Sequence, residues 1–296
     1  MISISPKVSI GMPVYNGEKY LRESLSSLLT QSFFDFELII SDNASTDNTS
    51  DICLEFSAKD HRIKYFRQTE NIGAWRNFKY VLDEAQAEYF MWSAADDIRS
   101  SDFVELNYNF LSLNSEYVAS TCPNRFEGDN LDVSFSLNED DDFKRYVKFF
   151  DYCWFSHCIF YSLIRINKLK ECDLLQESTD FFGIDWGVNI FLAFKGKINL
   201  TDKGYTFFGN EGMSKRPDHH KRVRISYIEY LIPFYKLSMY VIYLSKSLSL
   251  LKRARIINVL VILNIKVIYG RFRRNVKNLL IYFHLMQSKN DILTKN

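Results

Sequence analysis

A chain of 296 residues with 47% hydrophobic and 16% aromatic content can fill a sizeable core, which excludes a disordered or low-complexity protein. The net charge of +1 conceals two unlike parts: residues 1–214 carry 20 Lys and Arg against 33 Asp and Glu, a net of −13, and residues 215–296 carry 17 against 3, a net of +14. Five cysteines (Cys53, Cys122, Cys153, Cys158, Cys172) are odd in number and form no C-x-x-C pair, so reduced thiols in a cytosolic protein are expected, with no cysteine-held metal.

The N-terminal MISISPKVSIGMP lacks a basic segment followed by a long apolar core, so no secretory signal is expected. From there, short apolar runs alternate with helical patterns. The runs predict strands over Val8–Met12, Phe36–Ser41, Arg62–Phe66, Tyr89–Ser93 and Val118–Thr121. Between them, helices are predicted over Glu18–Gln31, Thr46–Ser57, Ala74–Ala85 and Asp102–Leu113, with Thr46 as a cap for the second. This alternation implies an α/β fold with a mostly parallel sheet covered on both faces, in which ligands bind beyond the carboxyl ends of the strands.

That rule gives one address to four polar groups. Pro13-Val14-Tyr15-Asn16 follows the first strand and Asp42-Asn43-Ala44-Ser45 the second. Asn71-Ile72-Gly73 follows the third and opens a helix carrying Arg76 and Asn77; Asp96-Asp97 follows the fourth. An aromatic ring, acids, helix N-terminal amides and an arginine suit a nucleotide. The adjacent aspartates repel unless a positive charge joins them. A divalent cation such as Mg²⁺ or Mn²⁺ meets that need, and a solvated turn or helix cap is the alternative.

Together, PVYN, SDNASTD, NIGAWRN and AADDI, in order and spacing over roughly residues 6–210, resemble the family 2 glycosyltransferases, inverting enzymes of the GT-A fold that use nucleotide-diphosphate sugars. The resemblance implies a GT-A domain over 1–214. It implies that Tyr15 stacks on the base with Pro13 shaping the loop beside Asn16, and that Asp42 contacts base or ribose. Asn71, Gly73 and Arg76 would lie near base and diphosphate. Asp96 falls at the metal-ligand position, and Asp97 follows as a support or sugar contact. The family's acidic motif begins with Asp, where this chain has Ala94, so donor affinity and strict metal dependence are open.

An inverting transfer needs a general base for the acceptor hydroxyl. The family places it at a helix start, matched here by FFGIDWGVNIFLAFKGKINL, whose only acid is Asp185. Asp180 is an alternative, and Asp185 could equally cap the helix Trp186–Phe194. Upstream, FYSLIRINKLKE matches a segment in which Arg165 would stabilise the loop. Trp154, His157 and Trp186 are acceptor candidates, with core packing or a structural hydrogen bond as the alternative for each. In Asn210–Ser214 the family has a loop closing over the donor. Lys215 and Arg216 could neutralise the leaving diphosphate or lie in a solvated basic loop. His219-His220 lacks the spacing of a metal site.

From Ile225 the pattern becomes helical, mixing aromatic, aliphatic and basic residues. The stretch 256–269 spans roughly 21 Å, short of the roughly 30 Å hydrocarbon core, and contains Lys266. Residues 225–296 therefore suit an interfacial helical tail on an anionic membrane, with Tyr230, Phe234, Tyr235, Tyr240, Tyr243 and Tyr269 at the boundary; a helical cap or oligomer interface is the alternative. Nucleic acid is not expected, because the tail is too apolar for a solvated basic arm.

The whole reads as a cytoplasmic enzyme, peripheral on the inner face of the cell membrane. It would move a sugar from a nucleotide-diphosphate donor to a hydroxyl of a glycan or lipid-linked acceptor in bacterial surface polysaccharide synthesis. The alternatives are a catalytically lapsed membrane-associated binding subunit and a sugar-phosphate nucleotidyltransferase. The second usually carries a glycine-rich basic loop after the first strand, where PVYNGEKY stands here.

Overall fold

β1 (Val8–Val14) and β2 (Phe36–Asp42) carry apolar cores because both faces of each are covered: Val8, Ile10 and Met12 are fully buried, and all seven residues of β2 are buried, its polar Glu37, Ser41 and Asp42 included. Between them α1 (Leu21–Leu29) buries Leu21, Leu25 and Leu28, one stripe at helical spacing. Next come α2 (Thr49–Lys59), β3 (Ile63–Arg67), α3 (Ala74–Asp83), β4 (Tyr89–Trp92), β5 (Ile98–Arg99), α4 (Phe103–Leu113), β6 (Tyr117–Thr121) and β7 (Asn124–Phe126). They are followed by α5 (Asp142–Tyr152), α6 (His157–Phe160), β8 (Leu163–Arg165), α7 (Ile166–Lys170), α8 (Ile184–Lys195), β9 (Lys197–Leu200) and β10 (Thr206–Phe208). The computed structural model describes residues 5–126, 134–176, 181–209 and 226–293, with side chains as far as Arg273.

Among the described residues, seven strands form one sheet in the order β3-β2-β1-β4-β8-β6-β9. All neighbours are parallel except β8, which runs antiparallel to both β4 and β6. This is the mostly parallel α/β sheet, flanked by helices, of the GT-A fold. A second sheet, β5-β10-β7, stands beside it. β1 pairs with β4 only as far as Gly11↔Trp92. Pro13, which has no N–H to give, lies beyond that ladder.

The five predicted strands and four predicted helices all form, with ends within three residues of expectation. Two caps do not. α2 begins at Thr49 behind Asn48, and Thr46 is held in the preceding loop, its N–H donating to Asn16 Oδ1 at 2.9 Å. α8 begins at Ile184 behind Gly183, whose φ of 87° only glycine adopts readily. Asp185 therefore lies inside the first turn and is no cap. Arg165 braces β8: its guanidinium donates to the carbonyls of Tyr117, Leu111 and Asn114 and to the Tyr89 hydroxyl.

The chain separates into two compact units, Met1–Val223 and Arg224–Asn296. The second contains α9 (Tyr227–Leu231), α10 (Tyr235–Leu244) and α11 (Leu250–Leu293). α11 has 44 residues, roughly 66 Å at 1.5 Å per residue. Phe234, Leu237 and Val241 are buried in this unit, as are Ile256, Leu260 and Leu263 of α11. The buried Asn264 joins them, accepting from Phe234 N–H at 2.9 Å and donating to Ser238 Oγ and the Leu260 carbonyl. No described helix is long and apolar enough to cross a membrane.

Candidate functional site

At the carboxyl edge of the sheet, the loops after β1 and β2 are laced together. Asn16 N–H donates to Ser45 Oγ at 2.9 Å, Gly17 N–H to Thr49 Oγ1 at 2.9 Å, and Asn43 N–H to the Val14 carbonyl at 2.9 Å. Asn16 itself has a φ of 52°, a conformation that asparagine tolerates. This lacing leaves Tyr15 projecting, 40% exposed.

Asp42 presents no surface to a ligand. Its Oδ1 accepts from Ser45 N–H at 2.8 Å, and its Oδ2 accepts from Tyr65 Oη and Arg67, each at 3.1 Å. The half-exposed Arg67 also donates to the Ser45 carbonyl at 2.8 Å. Asp42 thus holds the loop rather than facing the cleft, the physical reason being that three donors already enclose it.

After β3, Asn71 Oδ1 accepts from Asn43 Nδ2 and from Gly73 N–H, while Asn43 Oδ1 accepts from Ile72 N–H. Gly73, at φ 88°, turns the chain into α3. α3 is pinned to β2 because Asn77 Nδ2 donates to the Ser41 carbonyl while its Oδ1 accepts from the Ser41 hydroxyl. Arg76, on the exposed face of that first turn, makes no ion pair among the described residues.

β4 ends at the buried Trp92, the buried Ser93 follows, and the chain then turns through Asp96 and Asp97. The two acids are not equivalent. Asp96 is half-buried, whereas Asp97 is 3% exposed, with Oδ1 accepting from Gly209 N–H at 3.2 Å and Oδ2 left without a hydrogen-bond partner among the described residues. Burial pushes the Asp97 carboxyl up to about 7; the guanidinium of Arg99 opposes that rise and Asp96 adds to it. Arg99 is itself buried, donating to Ser93 Oγ and to the carbonyls of Trp92 and Tyr161.

Gly209, at the end of β10, presses on this turn. A Cβ there would stand 2.5 Å from both the carbonyl oxygen and Oδ2 of Asp96. The preceding Phe208 meets the rings of His157 and Tyr161, each with centroids 6.0 Å apart. Trp154, half-exposed, meets the buried Trp186 edge to face at 4.9 Å.

Tyr161 joins these groups to the base candidate. Burial and the negative fields of Asp97, Asp96 and Asp185 hold its phenol well above the ordinary tyrosine range, against the opposing Arg99. The charges of the acidic turn after β4 and of the first turn of α8 thus both bear on one buried tyrosine, although Asp96 and Asp185 lie far apart in the chain. Sequence reasoning missed Tyr161, Arg67, Arg99, Phe208 and Gly209. A usable signal existed for Arg99, a basic residue two places after the second aspartate, and for Gly209, a glycine closing the apolar run TFF. Asp180, Asn210–Ser214, Lys215, Arg216, His219 and His220 lie outside the described residues.

Among the described residues, no three His, Cys, Asp or Glu side chains cluster as a self-sufficient metal site. What the turn offers is two adjacent carboxylates, one with a buried oxygen lacking a hydrogen-bond partner among the described residues. Such hard oxygen donors fit a cation that takes one or two carboxylates and completes its shell with substrate phosphates and water. The concavity at the other end of the sheet, lined by Phe34, Glu37, His61, Lys64 and Gln86 among others, lies away from these residues.

Comparison with known proteins bears on the same region. The sequence profile of glycosyl transferase family 2 matches residues 9–172, more than half of the chain. Glycosyltransferase GlyA of Streptococcus pneumoniae is 37% identical over 105 residues, 36% of this chain and 15% of that protein. An uncharacterised glycosyltransferase of Haemophilus influenzae is 38% identical over 109 residues, 37% of this chain and 44% of its own. The match thus spans less than half the length of either relative. Among solved structures, Staphylococcus aureus TarS 1–349 in complex with UDP-GlcNAc superposes with a TM-score of 0.66 at 19% identity, covering 85% of this chain and 70% of that one. The mannosyltransferase PcManGT of Pyrobaculum calidifontis, in complex with GDP-Man and Mn²⁺, superposes at 0.53 and 14% identity, covering 88% and 74%. At these identities the likeness is one of fold.

Proposed function

The chain belongs to glycosyl transferase family 2 and is a glycosyltransferase, and from that premise we propose that it transfers a sugar, with inversion, from a nucleotide-diphosphate donor to a hydroxyl of a glycan or lipid-linked acceptor in bacterial surface polysaccharide synthesis. The observation that carries this reading is the acidic turn after β4, where Asp96 is half-buried and Asp97 is enclosed with one oxygen lacking a hydrogen-bond partner among the described residues. Such a turn suits a cation and the diphosphate it would neutralise, and the charge of Asp185, which bears on Tyr161 together with those of Asp96 and Asp97, supports a base on the same side. The complexes of TarS with UDP-GlcNAc and of PcManGT with GDP-Man and Mn²⁺ support a nucleotide-sugar donor and a divalent cation.

Tyr15, projecting beyond β1, stacks on the base beside Pro13 and Asn16. Asp42 acts through Ser45 and Arg67, which it holds at the edge of the pocket. Asn71 and Gly73 shape the turn into α3, and the exposed Arg76 attracts the diphosphate. Asp96 would hold Mg²⁺ or Mn²⁺, whose chemistry when bound is neutralisation of the leaving diphosphate. Asp97, gripped by Gly209 N–H, supports Asp96 from below. Asp185 takes the proton of the acceptor hydroxyl as that oxygen attacks the anomeric carbon opposite the leaving group. An α-linked donor then yields a β-linked product. Trp154 and His157 line the acceptor side, where an exposed aromatic face suits the C–H faces of sugars, and the buried Trp186 supports Trp154 from behind. The enzyme works in the cytoplasm, peripheral on the inner face of the cell membrane, with residues 225–296 as the contact.

Calorimetric binding of UDP-, GDP- and dTDP-sugars with Mn²⁺, Mg²⁺ or EDTA tests the donor half, with Asp96→Ala as the comparison. Metal-dependent binding of one nucleotide, lost in Asp96→Ala, is expected. Binding indifferent to metal would remove the role given to Asp96, and the absence of binding to any donor would sink the reading.

A further inference from the structure

In the second unit, α11 has one buried face and one open one. Ile256, Leu260 and Leu263 are buried, whereas Leu250, Ile257, Val261, Ile265, Ile268 and Phe272 fall on a different arc and are each at least 40% exposed. The exposed Ile262 and Tyr269 widen that arc on one side, and beside them, at its rim, stand Arg255 and Lys266, both exposed and eleven residues or about three turns apart. A soluble surface rarely leaves so continuous an apolar strip uncovered.

The charge of the surrounding chain selects what covers it. From Tyr230 to Asn290 the sequence holds 11 Lys and Arg and no Asp or Glu. A second copy laid on this face would bring cationic rims together with no acid between Leu250 and Asn290 to pair them. Nucleic acid would satisfy the cations and leave the apolar arc in water. An anionic lipid surface satisfies both at once, taking the apolar arc at the acyl boundary and the cations at its headgroups. No described helix can cross the membrane, so the helix lies along it.

We propose that the exposed arc of α11 from Leu250 to Phe272 is an in-plane docking face for an anionic membrane, with Arg255 and Lys266 at the headgroups. This deepens the membrane contact assigned above to residues 225–296 by committing to one helix face and one lipid charge.

The test is co-sedimentation of the full chain with vesicles of phosphatidylcholine alone and of phosphatidylcholine mixed with phosphatidylglycerol. The variants are Ile265→Asp, Lys266→Glu and, as a control, Leu113→Asp, which changes an exposed leucine of α4. Expected are binding to the anionic vesicles only, a loss of about tenfold or more in Ile265→Asp from the lost apolar contact, a loss of at least about fivefold in Lys266→Glu, the weight of one surface cation, and no loss in Leu113→Asp. Equal binding to neutral vesicles, or unchanged binding by Ile265→Asp, overturns the proposal. A dimer in analytical ultracentrifugation that Ile265→Asp abolishes, without vesicle binding, overturns it in favour of a second copy. Donor calorimetry on the same samples reads the catalytic site independently, so loss of the function reading and loss of the docking face give different results.

Discussion

Glu37 and Asp97 are both buried carboxylates of the first unit, at opposite ends of the sheet. Glu37, near the start of β2, is 4% exposed; its Oε1 accepts from Ser9 Oγ at 2.6 Å and Gln86 N–H at 3.1 Å. The Lys64 ammonium stands 2.6 Å from Oε2, an ion pair off the hydrogen-bonding direction. Asp97, beyond the end of β4, is equally enclosed but has one backbone donor and an oxygen without a hydrogen-bond partner among the described residues. A buried charge with its partners in place serves the fold, whereas one that has a single backbone donor among the described residues, with Asp96 beside it, marks a candidate functional site.

Substitutions at the two ends should separate in the same way. The largest effect is expected from Asp185→Asn, which keeps shape and removes the base: transfer should fall by about 10²–10⁴ while donor affinity, measured by calorimetry, stays. Equal losses in both would move Asp185 from base to donor contact. Gly209→Ala follows, since its Cβ would push Asp96 out of place. A displacement of this kind costs on the order of 10² in kcat/KM, with little change in Tm, and a normal rate would show that the turn yields freely. At the opposite end, Glu37→Gln should leave kcat/KM unchanged and lower stability by about 1–3 kcal/mol, read from urea unfolding. Smallest is Arg76→Ala at an exposed position: a donor KM raised by about two- to fivefold at low salt, the worth of one exposed charge, and a difference that shrinks as salt is added. If Arg76→Ala cost as much as Gly209→Ala, the contrast between preorganised and merely attractive groups at this edge would fail.

Much of this was legible from residue patterns. Phe36–Ser41 and Tyr89–Ser93 are apolar runs whose neighbours carry turn chemistry, so both the strands and the shared edge of their polar sequels follow from local order. Tyr15, Arg76 and Asp96 could be named because each follows a strand or opens a helix. The shortest elements were not legible. β5 has two residues and β7, β8 and β10 have three each, too few for any periodicity to show. The caps at Thr46 and Asp185 failed for a related reason. Either residue suits a cap by type, but lacing to Asn16 and the left-handed turn at Gly183 decided where each helix begins.

By itself the sequence determined the α/β alternation, the acidic first part and basic last part, and the set of groups gathered at one sheet edge, because each rests on residues within a few positions of one another. Only the tertiary structure decided that β8 enters antiparallel between β4 and β6, that Gly209 grips Asp97 across 112 residues, and that the charges of Asp96, Asp97 and Asp185 all bear on Tyr161. Those pairings are settled by which distant surfaces fit and which buried charges find donors, and no local spacing records that outcome.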